Sequence, residues 1–94
     1  NLEDYLLVGQ IYLEQNLFEE AFHFLSVYIH NTSLDDHDLP QAFYSRGLVR
    51  FFQKDINSAC IDWNHAAENG YKEAFSIIQK NCSDKELYLQ IHVQ

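Results

Sequence analysis

The side chains of this 94-residue chain that could do chemistry are five histidines, two cysteines and a short acidic run. Asp35-Asp36-His37-Asp38 offers the ligand types of a divalent-cation site. Adjacent residues on a short loop rarely converge on one ion without further ligands, so the run reads as a solvated acidic loop. His23 and His30 stand seven residues apart. On a helix that spacing shares a face but separates the rings by about 10 Å, too far for one ion, so both read as surface or groove positions. His65 and His92 have no evident partner. Cys60 precedes His65 by five residues, a helical spacing that does not aim one at the other, and no third group is placed to orient them. No GxSxG, HExxH, Walker or dinucleotide motif is present. The expectation is a protein that is not an enzyme, with no catalytic residue, no cofactor and no metal.

Charge narrows the partner class. The formal net charge is −8, and residues 1–38 hold eight acids and neither Lys nor Arg, while residues 39–94 hold six of each sign. A phosphate backbone or an anionic bilayer surface is repelled by such an end, so neither nucleic acid nor membrane is expected as partner. A protein or peptide that is apolar with basic flanks fits better. The bland reading, acidity as a solubility device, stands beside it. With 47% hydrophobic and 15% aromatic residues, the composition is that of a folded domain, and three Gly with one Pro suit helices rather than a turn-rich β fold. No apolar run reaches the span of a bilayer. No secretory signal is visible, so a cytoplasmic placement is expected, and Asn1 as first residue suggests a trimmed start. Cys60 and Cys82 then read as buried free thiols, and the acceptor patterns Asn31-Thr32-Ser33 and Asn81-Cys82-Ser83 as chance matches.

The elements that must position these residues follow from an internal repeat. At an offset of 38, Tyr5 falls on Phe43, Gly9 on Gly47, Ala21 on Ala59 and Leu25 on Trp63, without a gap between Gly and Ala. Such a period marks stacked helical hairpins. Leu2, Tyr5, Leu6, Val8, Gly9, Tyr12 and Leu13 recur at helical spacing, with a break at Gln15-Asn16 and a second helix from about Leu17 to His30. The small Gly9 and Ala21 read as the point of close helix approach. A third helix runs from Pro40 at its first turn, behind Asp38 as N-cap, to about Gln53. A fourth, capped by Asp55, runs to about Asn69, with Gly70 as the stop. Tyr71, Ala74, Phe75, Ile78 and Cys82 share the inward face of a capping helix. Leu87, Leu89, Ile91 and Val93 alternate as in a strand, and the tail reads as extended unless tertiary context makes it helical. Arg46 and Arg50 lie one turn apart on the third helix. Asp62 on the antiparallel partner is placed to pair with Arg46, giving a structural ion pair; the competing reading is a guanidinium that binds a ligand carboxylate.

Tyr5, Val8, Gly9, Tyr12, Ala21, Leu25 and Tyr28, and again Phe43, Gly47, Ala59, Trp63 and Ala66, resemble the tetratricopeptide repeat over roughly residues 2–73. Ala66-Ala67-Glu68-Asn69-Gly70-Tyr71-Lys72-Glu73-Ala74 also resembles the related Sel1-type repeat. Arg46 and Arg50 depart from the usual aliphatic and Tyr, Tyr71 from the usual Pro, and four extra residues fall in the loop 31–37. The resemblance implies an all-α fold: two antiparallel hairpins (about 2–35 and 38–73) stacked as a short right-handed solenoid, with a capping helix (about 71–82) and a tail (84–94), all in one domain. It further implies a concave peptide-binding groove lined by Glu3, Leu6, Gln10 and Leu13 from the first repeat and Gln41, Tyr44, Leu48, Phe51 and Phe52 from the second. Leu6, Gln10 and Ser45 replace the Lys and Asn clamp by which some members hold a carboxylate tail, so that ligand is not expected. The function implied is a non-catalytic interaction scaffold. A second reading is a homodimer module built on the apolar tail or on the aromatic second helix (Phe18, Phe22, Phe24).

Overall fold

The computed structural model describes residues 1–82. They form five α-helices, α1 (Leu2–Glu14), α2 (Phe18–Asn31), α3 (Leu39–Phe52), α4 (Ile56–Glu68) and α5 (Glu73–Asn81), with no strand among the described residues. The described residues are thus all-α. α1 packs on α2 and α3 on α4 as antiparallel hairpins, α2 joins the two hairpins through α3, and α5 closes onto α4. The expected extended tail over 84–94 lies outside the described residues.

Three helices stop by one device. Asn16 (φ 63°), Lys54 (φ 71°) and Gly70 (φ 95°) take the left-handed conformation. The next residue then reaches back five positions, as Leu17 N–H donates to Tyr12 O at 2.9 Å, Asp55 to Arg50 at 2.9 Å and Tyr71 to Ala66 at 3.0 Å. This closure satisfies carbonyls that a helix end leaves free. Asn16 and Lys54 are 38 residues apart, the same offset that separates Gly9 from Gly47. Asp55 caps α4 through Ser58 N–H at 3.2 Å. Asp38 stands at the start of α3 but its side chain makes no capping bond. Its own N–H instead donates to Asp36 Oδ1 at 2.9 Å.

The core has two centres. Leu6, Ala21, Leu25, Tyr28, Ala42 and Val49 pack between the hairpins. Ala59, Trp63, Ala66, Ala74 and Ile78 pack inside the second hairpin and under α5. The small residues work differently from the expected pairing of Gly with Ala. Gly9 faces Leu25, whose Cγ would lie 2.8 Å from a β-carbon placed there, and the same atom at Gly47 would fall inside the Trp63 indole. Each Gly therefore admits a large, fully buried side chain of its partner helix. Trp63 is fully buried, and its Nε1–H donates to Tyr44 O at 3.2 Å.

Two further expectations are corrected. Cys60 and Cys82 are joined by a disulfide, not free. They approach because α5 folds back along α4 and brings Cys82, the residue that follows it, to the fourth helix. Phe75 is half exposed rather than inward. α5 is short and turns Ala74 and Ile78 onto α4, which rotates Phe75 away.

Candidate functional site

The residues singled out for a groove come from α1 and α3, which touch directly. Glu3, Gln41 and Phe52 are exposed; Gln10, Leu13, Tyr44, Leu48 and Phe51 are half-buried; Leu6 is buried in the core between the hairpins. Several of the half-buried side chains also hold the fold. Tyr44 packs on Tyr71 with ring centroids 4.9 Å apart, and Phe51 on Trp63 at 5.8 Å. Phe52 stacks on Phe18 of α2 at 5.4 Å with its outer side in solvent. On α3, then, Tyr44, Leu48, Phe51 and Phe52 form an apolar row that is anchored on its inner side and open on its outer one. The helix positions these rings because i, i+4 and i+7 share a face.

Arg46 and Asp62 form a bidentate pair, with Nε and Nη2 each 2.9 Å from the two carboxylate oxygens. Arg46 Nη1 donates to Ser26 Oγ at 3.2 Å, so the guanidinium ties α2, α3 and α4 together. The pair is deep, with side chains 10% and 3% exposed. Sequence reasoning missed the third member. Arg50 Nε lies 2.9 Å from Asp62 Oδ2, outside hydrogen-bond alignment, and one carboxylate therefore serves two cations. The Phe22 ring sits 4.9 Å from the Arg50 guanidinium and 5.8 Å from that of Arg46, and Phe43 lies 5.7 Å from Arg46. Aromatic faces on both guanidinium groups offset the surplus positive charge. The signal in the sequence was the i, i+4 spacing of the arginines; that Phe22 and Ser26 complete the cluster depends on the crossing of α2 over α3.

The loop between the hairpins is built on Asp36. The Thr32 and Tyr28 hydroxyls both donate to its Oδ2. These bonds, Thr32 first, hold its carboxyl at about 2, and burial with the Asp36 bond pushes the Tyr28 hydroxyl up to about 12. Asp36, His37 and Asp38 bring ligand atoms within 4.8 Å of one another. With the Asp36 oxygens committed to Thr32, Tyr28 and Asp38 N–H, the group explains itself as a loop staple.

Among the histidines, His65 stacks on Phe43 at 4.9 Å and His23 meets Phe24 edge-on at 5.3 Å, both exposed. His30 is exposed and His92 lies outside the described residues. Cys60 is committed to its bridge and is not paired with His65. Of the aromatic second helix, Phe18 and Phe22 are packed toward α3, and Phe24 lies between Tyr5 and Tyr12, each 5.5 Å away. No described helix is long and apolar enough to cross a membrane. No family model, curated protein or solved structure matches the chain.

Proposed function

We propose that this chain is a non-catalytic protein-interaction module of the tetratricopeptide kind, holding an apolar peptide with basic flanks against α1 and α3. The observation that carries the reading is the row Tyr44, Leu48, Phe51 and Phe52, fixed from behind by Tyr71, Trp63 and Phe18 while Phe52 remains 50% exposed. Rigid aromatic anchors lose little entropy on binding, which is why such rows serve as interaction surfaces. The two hairpins with equivalent turns at Asn16 and Lys54 support the repeat assignment. The acids on α1 and in the loop support basic flanks on the partner. The disulfide supports an oxidising compartment in place of the cytoplasm expected from the sequence, because such bridges persist where thiols are not kept reduced.

The test is a display library of apolar peptides with Lys/Arg flanks, screened on the immobilised chain and repeated with the Tyr44→Ala, Leu48→Ala double variant. Binding should weaken by about tenfold or more in the variant. Undiminished binding by a variant with native circular dichroism removes the groove from the reading.

A further inference from the structure

The two hairpins are built alike but are not covered alike. On α3 the residues Ala42, Ser45, Arg46 and Val49 are buried, Ala42 and Val49 in the core formed with α2. Their equivalents 38 positions earlier are Asp4, Leu7, Val8 and Ile11 of α1. Leu7 is 58% and Ile11 43% exposed. The substitution of residue types is as informative as the exposure. Where the second hairpin holds the Arg46–Asp62 pair, the first holds Val8 and Phe24. Where it holds Arg50, the first holds Tyr12, whose ring lies tilted against Phe24 at 5.5 Å. The charged pair under Phe22 and Ser26 of α2 is thus replaced at the α1 end by an apolar one with no helix above it among the described residues. An open cleft of about 260 Å³ lies there, lined by Asn1, Asp4, Tyr5, Val8 and Phe24.

We infer that this α1 end face is a second docking surface, distinct from the groove, and that its occupant is an amphipathic helix of a partner protein carrying an aromatic anchor and Lys/Arg flanks. The way α2 covers α3 shows the geometry: a helix laid across the face, with an aromatic side chain in the place of Phe22 over the position of Val8 and Tyr12. The cleft has room for that ring. The flanks follow from charge. Asp4, Leu7, Ile11 and Glu14 form one stripe at i, i+3, i+7 and i+10, apolar in the middle and acidic at both ends, about 15 Å apart along the axis. Residues 1–38 offer no Lys or Arg; Asp4 meets the Asn1 amine at 3.7 Å, and further complementary charge comes from the partner. The opposite end differs, since α5 already covers α4 with Ala74 and Ile78.

The test uses two synthetic helical peptides of about four turns that present the covering stripe of α2 (Phe18, Phe22, Ser26, Ile29), one with lysines and one with glutamates at the remaining positions. Fluorescence anisotropy on the full chain should show saturable binding of the lysine peptide. It should weaken about tenfold in Leu7→Gln and in Ile11→Gln, and again between about 50 and 300 mM salt. Both positions are exposed, so these variants should keep the wild-type melting temperature, and Leu48→Ala should leave this binding unchanged, which separates the face from the groove. Three results overturn the proposal: no saturable binding, equal binding of the glutamate peptide, or indifference to both variants. A wild-type dimer in light scattering at about 200 μM that Leu7→Gln dissolves also overturns it, and assigns the face to a second copy of the chain.

Discussion

Asp62 is a buried acid on which two arginines converge. It accepts two bonds from Arg46 and lies against Arg50, all inside a cluster closed by Phe22 and Phe43. Breaking a buried pair from one side leaves uncompensated charge, and here two guanidinium groups would be left. Asp62→Asn should therefore lower stability by about 3 kcal/mol or more in urea unfolding, whereas Arg46→Met together with Asp62→Leu should recover part of the loss. An Asp62→Asn chain with wild-type stability would return the arginines to the ligand-binding reading. Asp36 gives a pH-dependent test. Its folded pKa of about 2 lies below the ordinary 3.8, so its contribution is present above pH 4 and is lost as pH falls toward 2. Tyr28 is raised from 10 to about 12, so its contribution is present below pH 10 and lost as pH rises toward 12. Melting temperatures of the wild type and Asp36→Asn should differ at pH 5 and converge near pH 2; a constant gap would mean that the carboxylate is not what the hydroxyls hold.

At the scale of the element, the hairpins depend on two glycines that let α1 and α3 approach Leu25 and Trp63. A β-carbon at Gly47 overlaps the rigid indole, and one at Gly9 meets the more adaptable Leu25. Both Gly→Ala changes replace a weak helix former by a strong one, yet overpacking should win. Gly47→Ala is expected to cost about 1–3 kcal/mol and Gly9→Ala less, measured by denaturant midpoint. Equal effects at the two sites would show that helix spacing, not side-chain shape, sets the cost. The sequence displayed the Gly–Ala period plainly, but not which side chain fills the space beside the Gly. Helical periodicity identifies a face; the crossing of two helices decides what meets it, and Leu25 and Trp63 sit one turn beyond the residues whose small size drew attention.

At the scale of the whole molecule, the Cys60–Cys82 bridge fastens the last described turn to α4 over a separation of 22 residues. Closing a loop of that length restricts the unfolded chain and should stabilise by about 3 kcal/mol. Cys60→Ser with Cys82→Ser, or the wild type under reductant, should unfold at correspondingly lower urea, and mass spectrometry of the unreduced protein should show both thiols blocked to alkylation. Two alkylated thiols under oxidising conditions would refute the bridge. The stack is also asymmetric: α5 covers one end, while α1 presents Leu7 and Ile11 to solvent. That asymmetry coincides with the acidic half of the chain.

What the sequence determined by itself was local and periodic: the five helices to within about two residues of their ends, the stops at Asn16 and Gly70, the Asp55 cap, and the offset of 38 between the glycines of the two hairpins. Each rests on the backbone preferences of a few neighbouring residues, which the chain carries wherever it is placed. The tertiary structure decided the rest, since distant side chains meet only through helix crossings: the cysteine bridge, Arg50 sharing Asp62, Asp36 as the knot of its loop in place of Asp38 as a cap, and Leu6 in the core rather than on a groove. Among the described histidines, His37 lies beside Asp36 and Asp38, while His23 and His65 pack on aromatic rings. The charge imbalance, by contrast, is spread over α1, α2 and the loop between the hairpins, with Asp4 and Glu14 flanking the exposed Leu7 and Ile11 of α1.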